Sequence, residues 1–456
     1  MKSSNKEKVQ WLAFLGAIML TGCTAPTLPS PDTSGSSGSG SSGSSSVLPT
    51  YPELLTAWII NDTDETAAYI INDDGTSNAN KKALVNVQSV TSDNTQYVRV
   101  NASGIPNYSF YITQDQVDWL NARPKAASGD FRVGTTTTAT AGQLVEFGTD
   151  INYNGHCNSG EGLGWWPPGP VCPTNQSKSS NFPLEPTVNA ADDCTAGLGA
   201  LGYAINGASI YGWSDGQKVA WNAMQSRWKA GSTGTFETLA PKAEVYDVDL
   251  CGGHAASGDY HHHFYSKCWA DVTEENSATT HSAVFGFAAD GYPVYGPYYD
   301  KSNGTLAQSC WVKRVYTDYG TGTNTGCADG TRSCVMVDPY DPSQGTTTSG
   351  VVQGPGFTDT YYNLSGNAFT AANGSFYEDY YYSSTCTALG GEHLDQHNGH
   401  YVEGLGYHYH LTIDADGNAV FPFTIGPKFK GELPSTDAVA SCGGGGGGGG
   451  GMPPPP

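Results

Sequence analysis

An internal repeat constrains this chain more than any other feature. Gly202-Tyr203-Ala204-Ile205-Asn206-Gly207-Ala208-Ser209-Ile210-Tyr211-Gly212 is matched by Gly286-Phe287-Ala288-Ala289-Asp290-Gly291-Tyr292-Pro293-Val294-Tyr295-Gly296. Both segments read as β-hairpins around an Asn-Gly or Asp-Gly turn, where two positive φ angles suit the strand twist. A second shared element follows each hairpin. In the first copy it is Asp249-Leu250-Cys251-Gly252-Gly253-His254 and then Tyr260-His261-His262-His263. In the second it is Asp395-Gln396-His397-Asn398-Gly399-His400 and then Tyr407-His408-Tyr409-His410. Two different elements recurring in one order imply a duplicated half-domain, its second copy enlarged by an insertion around residues 300–390. The fold expected is mainly β: a duplicated antiparallel sandwich- or barrel-like domain with long loops.

The repeated element concentrates imidazoles. Of 11 histidines, ten lie between His254 and His410. In a strand, residues i and i+2 point the same way. His261 and His263 then share a face, as do His408 and His410, while Tyr260, His262, Tyr407 and Tyr409 point oppositely. His254 and His400 follow glycines, which permit tight turns that return a third nitrogen to each pair. The reading is one or two metal sites built from His254, His261, His263, His400, His408 and His410. Asp249 and Asp395 are placed as outer acceptors that orient the rings, or as oxygen ligands. Dense imidazole suits zinc or copper, whereas magnesium and calcium prefer oxygen. The two histidine elements are expected to converge across a pseudo-two-fold axis on one locus. For a catalytic centre, His281 or Tyr407 is the candidate proton-transfer group.

The Tyr407–His410 tetrapeptide, with Asp290-Gly291-Tyr292-Pro293-Val294-Tyr295-Gly296 and the Gly399-His400 element, resembles the YHYH-domain family of exported proteins. The resemblance spans roughly residues 195–430. It implies one domain with a shared site and assigns no reaction. The first copy departs from the name motif, with His262 where the second has Tyr409.

The remaining sequence places this domain in the cell envelope. Lys2, Lys6 and Lys8 precede an apolar run from Trp11 to Leu20, too short to span a bilayer as a helix. Leu20-Thr21-Gly22-Cys23 resembles the bacterial lipobox, which implies acylation of Cys23 and anchoring in a lipid bilayer; Thr24 points to outer-membrane sorting. The Ser/Gly run Ser34–Ser46 cannot bury enough apolar surface to fold and reads as a tether. Setting Cys23 aside leaves ten of 11 cysteines, an even number suited to disulfides in an exported protein. Local pairs are suggested for Cys157 with Cys172, Cys251 with Cys268, and Cys327 with Cys334; thiolate metal sites would need closer spacing. The organisation expected is a signal peptide over 1–23, a tether over 24–50, a small β-rich unit over 51–140, the duplicated domain over 141–435 and a Gly/Pro tail over 436–456.

In the N-terminal unit, strands are expected at Ala57–Ile60, Ala68–Ile71, Leu84–Val87 and Tyr97–Val100, with turns at Asp73-Asp74-Gly75 and Ser92-Asp93-Asn94. Thr113-Gln114-Asp115-Gln116 reads as a capping box opening a helix that stops near Pro124. Lys+Arg number 21 against 43 Asp+Glu, a net charge of −22 that argues against nucleic-acid partners. Gly212-Trp213-Ser214-Asp215-Gly216, followed by a helix-like Gln217–Trp228, fits the nucleophile-elbow pattern. That pattern arises often in a Gly- and Ser-rich chain, and the second copy lacks the serine. Glu378-Asp379 and Asp338–Asp341 read as solvated acidic loops, and Tyr377–Tyr382, like Trp165 and Trp166, as packing residues rather than sugar platforms. The function expected is binding of a divalent transition metal, as a binding module or as a metalloenzyme whose substrate the sequence does not name, with a small molecule, glycan or protein as partner. The rival is a surface or matrix protein that recognises glycans or proteins, its His/Tyr cluster structural.

Overall fold

The computed structural model describes residues 51–61, 85–92, 95–122, 136–153 and 173–442, apart from 246, 247, 274, 321, 323 and 365, and gives backbone alone at 70–71, 77–78, 153 and 164–165. The lipobox with Cys23, the tether, the Asp73-Asp74-Gly75 turn, Asp93 and Asn94, Pro124, Cys157 with Cys172, the Trp165-Trp166 side chains and the tail from 443 lie outside the described residues.

Strands β1 (Val85–Ser92), β2 (Thr95–Ala102) and β3 (Lys178–Pro183) form the N-terminal sheet in that order. Helix α1 (Gln114–Ala122) opens as its sequence requires. The Thr113 N–H donates to Gln116 Oε1 at 2.8 Å and the Gln116 N–H to Thr113 Oγ1 at 3.2 Å, which satisfies two orphan donors reciprocally. Ala57–Ile60 departs from the expected strand. A one-turn helix over Glu53–Thr56 precedes it, and Trp58 is buried against Phe182 and Phe287. Packing one large side chain outweighs pairing there. One hydrophobic core runs from Tyr51 and Leu54 through Val98 and Phe182 to Phe287 and Phe429.

The duplicated part follows. Strands β4 (Ala200–Ala204) and β5 (Ser209–Tyr211) form the first hairpin. An excursion supplies β6 (Ser214–Asn222), β7 (Arg227–Gly231) and β8 (Phe236–Leu239), then the single turn α2 (Ala240–Ala243). The chain returns as the histidine hairpin β9 (Gly253–Ala256) and β10 (Asp259–His262). The second copy repeats this with β11 (Val284–Ala288) and β12 (Pro293–Tyr295), an excursion containing β13 (Thr360–Tyr362) and β14 (Ala368–Thr370), and the hairpin β15 (Gly399–Val402) and β16 (Gly406–His410).

These strands build one eight-stranded sheet in the palindromic order β9-β10-β5-β4-β11-β12-β16-β15. The pseudo-two-fold axis passes between β4 and β11, which pair antiparallel with Tyr203 opposite Phe287. Outward from it, both halves repeat the same relations: an antiparallel hairpin, a parallel contact, then a second antiparallel hairpin. The fold is therefore mainly β and duplicated, and its two parallel contacts join each hairpin to its histidine element. Glycine makes the axis possible. A Cβ on Gly202 would sit 2.2 Å from the Phe287 carbonyl oxygen, and one on Gly286 2.4 Å from that of Tyr203.

The two hairpin turns differ from the expected type. Only Gly207 (φ 84°) and Gly291 (φ 87°) have positive φ; Asn206 and Asp290 do not. The Ala204 N–H donates to the Ala208 carbonyl and that of Gly207 to Ala204, which makes a three-residue loop whose glycine forms the bulge. Ala288, Tyr292 and Gly291 repeat the pattern.

The excursions of the two halves meet in a second sheet, β8-β6-β7-β13-β14. The expected helix over Gln217–Trp228 is instead the β6–β7 hairpin, with Trp221 opposite Trp228. The insertion is organised on a fully buried ion pair in which Arg332 Nε and Nη2 each donate at 2.8 Å to one oxygen of Asp379. Asp379 is thus a core residue, not part of a solvated loop. Tyr380 and Tyr382 pack with Trp311 and Phe421. Disulfides join Cys251 to Cys268 and Cys327 to Cys334, as the spacing suggests, and also Cys310 to Cys386 and Cys194 to Cys442. The last bond ties Cys442 to the body of the fold.

Candidate functional site

The hairpin register assembles the imidazoles. His254 lies directly opposite His261, and His400 opposite His408. Directly opposed residues share a face, with Cβ atoms about 5 Å apart. His263 and His410, two residues further along, share that face by alternation. Sheet geometry therefore presents three imidazoles in the second hairpin, and two in the first with His263 one residue past the end of β10. Among the described residues, two groups hold potential ligand atoms within 4.8 Å of one another: His254, His261 and His263, and His281, His400, His408 and His410.

The expectation of a single locus is corrected here. Because β4 and β11 occupy the centre, the histidine hairpins lie outside them at opposite ends of the sheet. Strands β10 and β16 are separated by five strand spacings, roughly 24 Å at about 4.8 Å each. There are two histidine groups, one in each half, each a candidate centre.

Backbone carbonyls fix the rings. His400 Nδ1 contacts the Gly391 carbonyl (2.9 Å), His408 Nδ1 that of Gly406 (3.0 Å), His410 Nδ1 that of Gly296 (2.6 Å) and His281 Nδ1 that of Ser282 (3.1 Å). A carbonyl only accepts, so each Nδ1 carries the proton and each Nε2 is left with a lone pair. Nonetheless His400 Nε2 and His410 Nε2 stand 3.1 Å apart. Among the described residues, the buried Nε2 atoms of His408 and His281 have no hydrogen-bond partner. The first half repeats the arrangement. His261 Nδ1 contacts the Asp259 carbonyl (2.9 Å), His263 Nδ1 that of Gly212 (2.6 Å), and their Nε2 atoms are 3.1 Å apart. Gly212 and Gly296 are the matching glycines that close the two repeats.

His281 is the fourth member of the second group, whereas Glu244 adjoins two imidazoles of the first. In the first half, Glu244 Oε2 lies 3.1 Å from His263 Nε2 and 3.3 Å from His254 Nε2. Glu244 follows α2 directly, and 22% of its side chain is exposed, against 4–5% for the two imidazoles. In the second half the fourth donor is His281, which lies three residues before the start of β11 and is part-exposed. His281 was singled out in the sequence for proton transfer and is here a member of the cluster. Glu244 was missed; its only sequence signal is a position five residues before Asp249.

Protons fill these gaps poorly. Burial, then repulsion between rings, holds His261, His408 and His410 well below the usual imidazole range; burial takes His400 down to about 4. Glu244 is also shifted down, by its neighbours. Burial opposes its charge, but the His263 and His254 rings more than offset this and hold the carboxyl well below its usual range. Each histidine group could hold a metal ion. Metal–nitrogen bonds of 2.0–2.1 Å give N···N separations of about 3.4 Å, close to the contacts quoted.

The remaining expected residues act around the centres. Asp249 Oδ1 accepts from the Cys251 and Gly253 N–H groups, and Oδ2 from the Tyr260 hydroxyl at 2.9 Å. Asp395 does the same with His397, Gly399 and Tyr407. These carboxylates hold the turn and the tyrosine; carbonyls, not they, orient the rings. Burial lifts Asp249 to about 7 despite three donors. The Tyr407 hydroxyl is committed to Asp395 on the face opposite the imidazoles, and is not beside the cluster. Tyr409 donates to Asp290 at 2.6 Å. In the first half Tyr108, beside Asn206, meets His262 Nε2 at 2.6 Å, and His262 stacks on Trp269. The departure from Tyr to His at 262 is therefore matched by a tyrosine from the N-terminal unit. Ser214 begins β6 and donates to the Glu237 carboxylate; with a strand following in place of a helix, and with no imidazole on it among the described residues, it lacks a nucleophile's setting.

Comparison with known proteins agrees with this frame. The family model described as YHYH protein matches residues 179–421, a span that contains both centres. No curated protein and no solved structure matches the chain.

Proposed function

Since this chain belongs to the YHYH protein family, whose name motif contributes His408 and His410, we propose that it binds transition-metal ions at two centres, one in each half of the duplicated sheet. His254, His261, His263 and Glu244 hold the first ion, and His281, His400, His408 and His410 the second. The observation that carries the reading is the pair of Nε2–Nε2 contacts at 3.1 Å between rings whose Nδ1 protons are already given to carbonyls. Two lone pairs held that close repel unless a cation lies between them. Zinc or copper suits the imidazoles. A bound ion of this kind lowers the pKa of a coordinated water or cycles its own charge. The chain's own contribution is to fix the tautomers, exclude water behind the sheet and leave Glu244 and His281 as the donors nearest solvent.

In the same reading the domain is carried outside the cytoplasm by a signal segment and held at a bilayer by acylated Cys23, toward the outer membrane. The four disulfides suit that oxidising setting. Among the described residues, no helix is long and apolar enough to cross a membrane. Small molecules, glycans or proteins are the partners such a surface meets. The test is elemental analysis of the purified protein after saturation with zinc and desalting. The wild type retains two ions per chain, and His408→Ala/His410→Ala and His261→Ala/His263→Ala retain one each. A wild type that retains none refutes the proposal.

A further inference from the structure

The two centres share three imidazoles and differ in the fourth donor, and that difference sets the charge each can accommodate. We infer that the halves have diverged in the ion they select: the first centre takes a divalent ion of the zinc class, and the second takes monovalent copper. This rests on the two-centre reading above and extends it.

The fourth donors have separate origins. Glu244 follows α2 in the first excursion, ahead of the Asp249 turn, whereas His281 belongs to the segment between the halves, just before β11. They do not correspond in the repeat. Glu244 makes the first donor set anionic, so a divalent ion there leaves one net positive charge. The second set is four neutral imidazoles. A divalent ion there leaves two charges, and a monovalent ion leaves one.

Burial makes this decisive. His408 and His410 are wholly buried, and the cost of burying an ion grows with the square of its charge. The carboxylates nearest the second centre do not compensate. Glu275, which faces His281, is paired with Lys301 at 3.2 Å and accepts from Ser282; Asp395, which faces His400, is 3.6 Å from Lys430 and holds Tyr407. At the first centre Glu244 contacts two of the imidazoles directly. Two residues then decide the chemistry. Hard monovalent ions favour oxygen, which the second centre does not offer, so the monovalent ion matched to imidazole nitrogen in tetrahedral geometry is copper(I). An oxygen donor at the first centre favours zinc over copper(I).

The experiment is a mixed loading of the full-length apoprotein under anaerobic, reducing conditions. Excess Zn2+ and Cu+ (supplied as the acetonitrile complex) are added together, weakly bound ions are removed by a chelator wash, and both metals are counted. The wild type is expected to retain one zinc and one copper per chain. His408→Ala/His410→Ala is expected to lose the copper alone and His261→Ala/His263→Ala the zinc alone. His281→Glu shifts the second centre toward zinc by at least tenfold in the copper-to-zinc ratio. Two ions of one metal, or the same ratio at both centres, overturn the divergence while leaving two metal centres standing. A wild type that retains neither metal refutes the two-centre reading itself.

Discussion

Tyr407 and Tyr260 show why a tyrosine precedes the histidines. Each hydroxyl reaches the aspartate of its own turn, and each ring occupies the space beside the glycine before the first histidine. A Cβ on Gly253 would lie 2.4 Å from the Tyr260 hydroxyl oxygen, and one on Gly399 2.5 Å from that of Tyr407. Gly399→Ala is therefore expected to cost about 2–3 kcal/mol by overpacking, read from urea midpoints. Tyr407→Phe removes the hydroxyl's hydrogen bond to a part-buried carboxylate, costs about 1 kcal/mol, and leaves two ions bound. Loss of metal in that variant would place Tyr407 in the centre after all. Away from the centres, burial raises Glu378 to about 8. With the folded value above the unfolded one, the protonated form is favoured in the fold. Its contribution is full below the unfolded value and is lost as pH rises through about 8. Glu378→Gln, neutral throughout, should unfold like the wild type at pH 4 and be more stable at pH 9, by about 2 kcal/mol. Equal midpoints at both pH values would contradict the burial.

At the scale of elements, the axis strands and the histidine hairpins answer to different constraints. Gly202→Ala places a methyl against the Phe287 carbonyl oxygen and should separate β4 from β11, at about 3 kcal/mol or more. Gly231→Ala on β7 meets nothing within 4 Å and serves as the control, neutral or slightly stabilising. Denaturant midpoints of the two distinguish an axis effect from a general intolerance of alanine. The sequence made the repeat, the same-face pairs His261/His263 and His408/His410, and the Thr113 capping box legible, because each depends on local spacing. Strand order was not legible. Whether the histidine hairpins meet at the axis or lie at the edges depends on which strands pair first, and the close approach of Gly202 and Gly286 decides it. Glu244 was hidden for the same reason, since only the path of the chain after β8 brings it to His263. Gln217–Trp228 misled because its charged and polar residues carry no period, and its pairing with β7 and β8 is non-local.

Across the whole molecule, the two halves are bound together by long-range links. The Cys194–Cys442 disulfide spans 248 residues and fastens the end of the described chain beside the start of the duplicated part. Cys194→Ala/Cys442→Ala is expected to lower stability by about 2–5 kcal/mol while leaving metal content unchanged. Glu244 and His281 are more exposed than the imidazoles they adjoin, and the proposed function puts two separate ion sites on one sheet. The most direct test of that claim is the anomalous scattering of a zinc-loaded crystal. Two peaks are expected, one bonded to the Nε2 atoms of His261 and His263 and one to those of His400 and His410, each at about 2.0–2.1 Å. A single peak on the axis, or none beside either hairpin, would contradict it.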